Sequence, residues 1–250
     1  MDKIIGIIGG VGPYAGFDLS KKILDNTIVN SDYDHIPQIS LSFPSEVPDR
    51  TAFLTKKASL NPAPSLLQLI NKAYTIGARV FGVACNQVHN KLIFDNILNG
   101  LTQPDIELAN MIESTAIYIK TNYPDIKKVS VLGRTGTYQT KIYDDYLKHY
   151  DISIYNHGSD LQDILDDAIA NPIYGIKKYS TPPIMKTLDT VINVLDRVID
   201  NGAELIVLGC TELPLVISEK FYKGIPVIDT TEILAREIIS KAAPNKLKQL

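Results

Sequence analysis

Ile5-Gly6-Ile7-Ile8-Gly9-Gly10-Val11-Gly12 can be laid against Val129-Ser130-Val131-Leu132-Gly133-Arg134-Thr135-Gly136, with both glycine pairs displaced by 124 positions. Each stretch is a short apolar run of β-forming residues that stops at a glycine turn, and helix-like spacing follows each of them. Farther on, Gly77-Ala78, an apolar run and Cys85 match Gly202-Ala203, an apolar run and Cys210, displaced by 125 positions. A register that holds to within one residue across half the chain is too long a period for a solenoid. It reads as a duplicated α/β unit.

Working outward, the sequence predicts a strand over 3–8, a helix over 15–29, a strand over 38–43 and a loop over 44–50. A helix over 66–76 is stopped by Gly77, and a buried strand over 79–84 delivers Cys85. The βαβαβ order favours a parallel sheet with helices on both faces. A helix is expected over 105–118 after Pro104, then a strand over 129–132, a loop over 133–137, a helix over 138–149 and a strand over 152–155. The tail from Pro244 reads as a frayed helix end or disordered. The predicted fold is therefore α/β, with two pseudo-symmetric α/β domains of mainly parallel sheets facing across an active-site cleft. Ligands of open α/β sheets bind outside the carboxyl ends of the strands, where Gly9, Cys85, Gly133 and Cys210 all fall.

Composition narrows the function classes. The 250 residues are 45% hydrophobic and 21% charged, which excludes disordered and fibrous chains. With 25 Lys and Arg against 28 Asp and Glu, the charge of −3 carries no footprint for nucleic acid or an anionic membrane. Without a long apolar run, the chain reads as soluble and cytoplasmic. The glycine loop invites a dinucleotide reading, but Gly10-Val-Gly12-Pro-Tyr-Ala-Gly16 has one residue too many, and Pro13 removes an N–H that a pyrophosphate would want. The four histidines are dispersed, and Cys85 with His89 forms a lone pair without a second ligand pair, so neither a metal nor a cofactor is expected.

Free cysteine is among the most buried residue types, so one cysteine at a strand end is unremarkable. Here the only two, Cys85 and Cys210, occupy equivalent positions of a repeat and precede residues of helix-capping type, Asn86 and Thr211. Two equivalent thiols facing each other across a small cavity can take a proton from one face of a carbon and return one to the other.

These residues resemble the aspartate/glutamate racemase family, amino-acid racemases that work without pyridoxal phosphate. The matching pieces are Gly9-Gly-Val-Gly-Pro13, Asp34-His-Ile-Pro37, Pro48-Asp-Arg-Thr51, Cys85-Asn86 with His89, Gly136-Thr137, Ile173-Tyr-x-Ile-Lys177 and Gly209-Cys-Thr-Glu-Leu213. The resemblance implies a homodimer of two-domain subunits, with residues 1–115 and 223–250 carrying Cys85 and residues 116–222 carrying Cys210. It implies that Cys85 and Cys210 are the catalytic bases. It also implies that Asn86, Thr135, Thr137 and Thr211 bind the amino and carboxylate groups of a small amino acid, that Arg50 and Lys177 hold carboxylates, and that Val11 and Gln87 belong to the binding set. Gln87 stands where family members usually have Thr. His89 and Glu212 are candidate helpers in proton movement.

At a reference pKa near 8.5, about one thiol in ten is ionised at pH ~7.5. Helix N-termini following Cys85 and Cys210 are expected to favour the thiolate. The rival readings are a broad-specificity racemase, a related isomerase or decarboxylase on the same scaffold, and a non-catalytic amino-acid binding protein.

Overall fold

The computed structural model describes residues 2–249. The chain divides into two compact units, Met1–Ser114 with Thr231–Leu250, and Thr115–Thr230.

The sheet of the first unit contains β1 (Ile4–Gly9), β2 (Gln38–Ser42), β3 (Ala78–Val83) and β4 (Glu107–Leu108), all parallel, in the order β2-β1-β3-β4. Its helices are α1 (Pro13–Asp25), α2 (Arg50–Leu54), α3 (Ala63–Thr75) and α4 (Lys91–Gly100). Next, α5 (Met111–Asn122) carries the chain into the second unit, with β5 (Lys128–Leu132), α6 (Thr135–Thr140), α7 (Asp144–Lys148), β6 (Ser153–Ile154), α8 (Ser159–Ala170), α9 (Met185–Asp200), β7 (Leu205–Leu208), β8 (Phe221–Tyr222) and β9 (Ile225–Asp229). The chain returns through α10 (Thr230–Ala242). The second sheet runs β6-β5-β7-β9-β8, parallel except for the β8–β9 hairpin. Its first four strands repeat the order of the first sheet, so β3 and β7, which precede the two cysteines, are topological equivalents.

Burial on both faces explains why β1, β3, β5 and β7 read as apolar runs rather than alternating ones. In the first unit, Ile5 and Ile7 pack with Leu19 and Ile23 of α1 and Leu234 and Ile238 of α10. Ile8 and Phe81 pack in another cluster with Leu66, Leu69 and Ile70 of α3 and Ile93 and Ile97 of α4. In the second unit, Leu132, Ile206 and Leu208 meet Leu161 and Leu165 of α8 and Val191, Val194 and Leu195 of α9. Each fully buried side chain of this kind contributes about 1.5–3 kcal/mol of transfer free energy. Among the described residues, no helix is long and apolar enough to cross a membrane.

Several elements differ from expectation. Residues 105–110 are not helical: Glu107 and Leu108 pair with Val80 and Phe81 at the sheet edge, and Asn110 Oδ1 accepts from the amides of Ile112 and Glu113, starting α5 later. The helix expected over 138–149 is interrupted at Lys141, whose φ of 51° is left-handed, giving α6 and α7. Residues 44–50 and 133–137 are not wholly loop, because α2 starts at Arg50 under an Asp49 cap and α6 starts at Thr135. The segment 223–230, expected with the first domain, belongs to the second unit, because β9 completes the sheet beside β7. The tail is tied down: the Lys248 amide donates to Asn26 O (2.9 Å), and the Ile28 amide donates to Lys246 O (2.7 Å).

Candidate active site

In the first unit, the predicted residues gather where β1 and β3 end. The turn after β1 requires glycine at position 10, where φ is +80° and an added Cβ would lie 2.6 Å from the Phe43 amide nitrogen. That turn presents Val11, whose carbonyl accepts from Arg50 Nη2, while Arg50 Nη1 donates to Pro48 O at 3.2 Å. The guanidinium is therefore pinned by two carbonyls. It pairs with no carboxylate among the described residues, which makes it a half-buried cation with unspent charge.

Cys85 follows β3 and precedes a single 3₁₀ turn, Asn86–His89; its thiol is buried and makes no hydrogen bond to any described residue. Gln87 is 6% exposed, and its Oε1 accepts from Thr51 Oγ1 at 3.0 Å. The His89 ring lies 3.4 Å from Val83 O through Nε2 and stacks at a tilt on Phe94, with no hydrogen bond to the Cys85 thiol. Burial lowers its pKa to about 4, so the ring is neutral at physiological pH.

In the second unit, Gly133 after β5 and Gly209 after β7 approach so closely that an added Cβ at Gly133 would lie 2.7 Å from Gly209 O. This contact lets Thr137 Oγ1 reach Gly209 O at 3.5 Å, beside Cys210. The Cys210 thiol donates to Glu212 Oε2 at 3.0 Å, and Lys177 Nζ donates to Glu212 Oε1 at 2.5 Å. Thr211 Oγ1 lies 3.5 Å from Glu212 Oε2. Glu212 is 4% exposed, so this buried carboxylate is held by its pairing with Lys177. The predicted use of Lys177 as a carboxylate holder changes accordingly: its charge is already directed at Glu212.

The electrostatics of Cys210 also differ from expectation. No α-helix starts at either cysteine: α4 begins only at Lys91, and Leu213–Leu215 after Cys210 is a short 3₁₀ turn. Without a helix dipole, burial and then the Glu212 carboxylate push the Cys210 thiol well above its ordinary pKa, with Lys177 opposing. The resting thiol is protonated, and its proton points at a base.

Three supporting residues escaped sequence reasoning. Arg134 Nε donates to Asp166 Oδ1 at 2.6 Å, and the Thr135 amide donates to the same oxygen at 2.8 Å. Burial disfavours the Asp166 carboxylate, yet these donors hold its pKa below the usual range. Gln162 Nε2 donates to Gly133 O at 2.9 Å. Gln162 and Asp166 are one helical turn apart on α8, so polar residues at i, i+4 beside the apolar Leu161 and Leu165 were the available signal. Tyr143, 1% exposed, hydrogen-bonds Thr230 and Thr115, and burial raises its phenol pKa. A cavity of about 370 Å³ in this unit is lined by Thr137, Tyr138, Tyr143, Tyr155 and His157 among others, and does not include Cys210. Among the described residues, no group of three or more His, Cys, Asp or Glu side chains is arranged to hold a metal.

A duplicated α/β unit with a cysteine after the third strand of each half belongs to a defined class: the chain is a member of the Asp/Glu/hydantoin racemase family, whose model matches residues 8–238. Membership makes it an isomerase of the racemase type. Among solved structures it is similar to the aspartate racemase of Picrophilus torridus, with 31% identity, a TM-score of 0.82, and 98% of this chain and 96% of that one covered. An aspartate racemase homologue from Pyrococcus horikoshii OT3 shares the fold at 22% identity and TM-score 0.71, covering 97% and 100% of the two chains. A glutamate racemase isoform from Bacillus anthracis does so at 16% identity and TM-score 0.68, covering 98% and 82%.

Proposed function

We propose that the chain interconverts L- and D-aspartate without a cofactor, Cys85 and Cys210 each serving one face of the α-carbon. The observation that carries this reading is the occurrence of the only two cysteines at equivalent strand ends of a duplicated fold, one of them bonded to a buried carboxylate. Arg50, a cation pinned without an acidic partner among the described residues, supports a dicarboxylic substrate, and the 31% identity to an aspartate racemase favours aspartate over glutamate.

In this mechanism Glu212 first accepts the Cys210 thiol proton, and the resulting thiolate removes the α-proton of the L enantiomer. The electron pair left on carbon is stabilised through the carboxylate, and Cys85 supplies a proton from the other face, ending as thiolate. The cycle closes when solvent takes the proton left on Glu212 and returns one to the Cys85 thiolate, and the D enantiomer runs the same steps backwards, starting from the Cys85 thiolate. Lys177 holds Glu212 in place and balances its charge, while Arg50 receives a substrate carboxylate. Val11, Asn86, Gln87, Thr135, Thr137 and Thr211 complete the binding set. A homodimer is part of this reading, as the family resemblance implies, and the expected compartment is the cytoplasm.

The test is polarimetric or circular-dichroism measurement of enantiopure aspartate, glutamate and neutral amino acids with exhaustively dialysed protein. Racemisation of aspartate without additions is the expected result. Activity that returns only with pyridoxal phosphate, or that favours neutral amino acids, contradicts it.

A further inference from the structure

We infer that Gln87 is the side-chain selector of the site, its unmatched amide NH₂ recognising the substrate's distal carboxylate beside Arg50; this rests on the racemase reading and specifies it. Gln87 is 6% exposed, and its amide oxygen is taken by Thr51 Oγ1 at 3.0 Å. Its Nε2 is buried and has no hydrogen-bond partner in the structure. A buried amide donor left unmatched is unusual in a folded protein, and a ligand acceptor arriving there would satisfy it.

The surroundings determine which acceptor fits. Thr51 follows Arg50 in the first turn of α2, so the Thr51–Gln87 bond staples the Arg50 helix to the turn after Cys85. Arg50 Nε is likewise buried without a partner. Two unmatched donors on one stapled pair of elements, one of them cationic, suit an anionic acceptor and repel an ammonium or an amide NH₂. A threonine hydroxyl at position 87 offers one donor hydrogen, whereas the Gln87 amide, with its oxygen already bonded to Thr51, leaves a whole NH₂ to donate. Oε1 and Nε2 share one planar carboxamide, so the Thr51 bond that holds the oxygen also fixes the direction in which the NH₂ points.

Gln87→Met keeps length and removes the donor; Gln87→Glu keeps shape and reverses polarity. Thr51→Val releases the amide, and Thr51→Ser should restore it. Losing a hydrogen bond to a charged group is expected to raise the KM for aspartate and the Kd for succinate by roughly 10- to 150-fold in Gln87→Met, with kcat changed far less. In Gln87→Glu the ratio of kcat/KM for aspartate to that for asparagine should fall by at least about tenfold. Thr51→Val should shift KM in the same sense, with Thr51→Ser close to wild type.

Wild-type racemisation together with an unchanged succinate Kd and an unchanged aspartate/asparagine ratio in the Gln87 variants overturns the inference and leaves the function standing. A wild type that binds succinate in a Gln87-dependent way but racemises nothing overturns the function and leaves the inference standing. If Gln87→Glu does not fold, Gln87→Met decides by the succinate titration.

Discussion

Glu212 bridges Cys210 and Lys177, its two carboxylate oxygens accepting one from each. Glu212→Gln keeps the size and removes the base. Exchange of the L-aspartate α-proton should fall by about 10² to 10⁴-fold, the range a positioned base contributes, while exchange of the D enantiomer falls less. His89 gives a stability prediction. Its folded pKa of about 4 lies below the unfolded value near 6.5, so the neutral ring stabilises the fold above pH ~6.5, and that contribution is lost as pH falls toward 4. The total is about 3 kcal/mol, so chemical denaturation of His89→Gln should show a correspondingly flatter pH dependence between pH ~4 and ~6.5. Both cysteines, Glu212 and Arg50 were legible in the sequence. The pairing of Lys177 with Glu212 was not, because 35 residues separate them and only tertiary structure brings them together.

At the scale of elements, the glycine loops determine where side chains point. Gly133 meets the Gly209 carbonyl, and Gly133→Ala forces a Cβ into that contact. The overpacking should cost about 1–3 kcal/mol, lowering Tm by roughly 2–12 °C and misplacing Thr137 and Cys210 together. Thermal unfolding and kcat/KM should therefore fall in step, and an alanine variant of wild-type stability and activity would show that the close approach is dispensable. β1, β3, β5 and β7 were legible because burial on both faces makes them apolar runs, whereas the two-residue edge strand β4 was read as helix. The helix boundaries were not: Asn110 delays α5 and Lys141 splits α6 from α7, and neither a cap's hydrogen bonds nor a left-handed lysine leaves a periodic signal. The absence of an α-helix after each cysteine is the same kind of miss. Asn86 and Thr211 are residues of capping type, but they lead into 3₁₀ turns, and the thiolate stabilisation expected from helix dipoles is replaced at Cys210 by a proton-accepting carboxylate.

At the scale of the whole molecule, the duplication read from two glycine loops reappears as two sheets that share the order of four strands, with a cysteine after β3 in one and after β7 in the other. What the repeat could not reveal was where the chain changes unit, since β9 is apolar enough for either sheet and only its pairing with β7 assigns it. The tail also gave no signal, being short and lysine-rich, yet it is fastened to Asn26, Ile28 and Arg236. Deleting residues 244–250 should lower stability by about 2–4 kcal/mol, read as a reduced denaturation midpoint. The central claim is that each thiol works on one enantiomer only. The direct measurement is α-proton exchange in D₂O, followed by NMR, for Cys85→Ala and Cys210→Ala with each enantiomer of aspartate. Racemisation lost by about 10²-fold or more in both variants, with Cys85→Ala still exchanging the L form and Cys210→Ala the D form, is the predicted result; either variant racemising near the wild-type rate would contradict it.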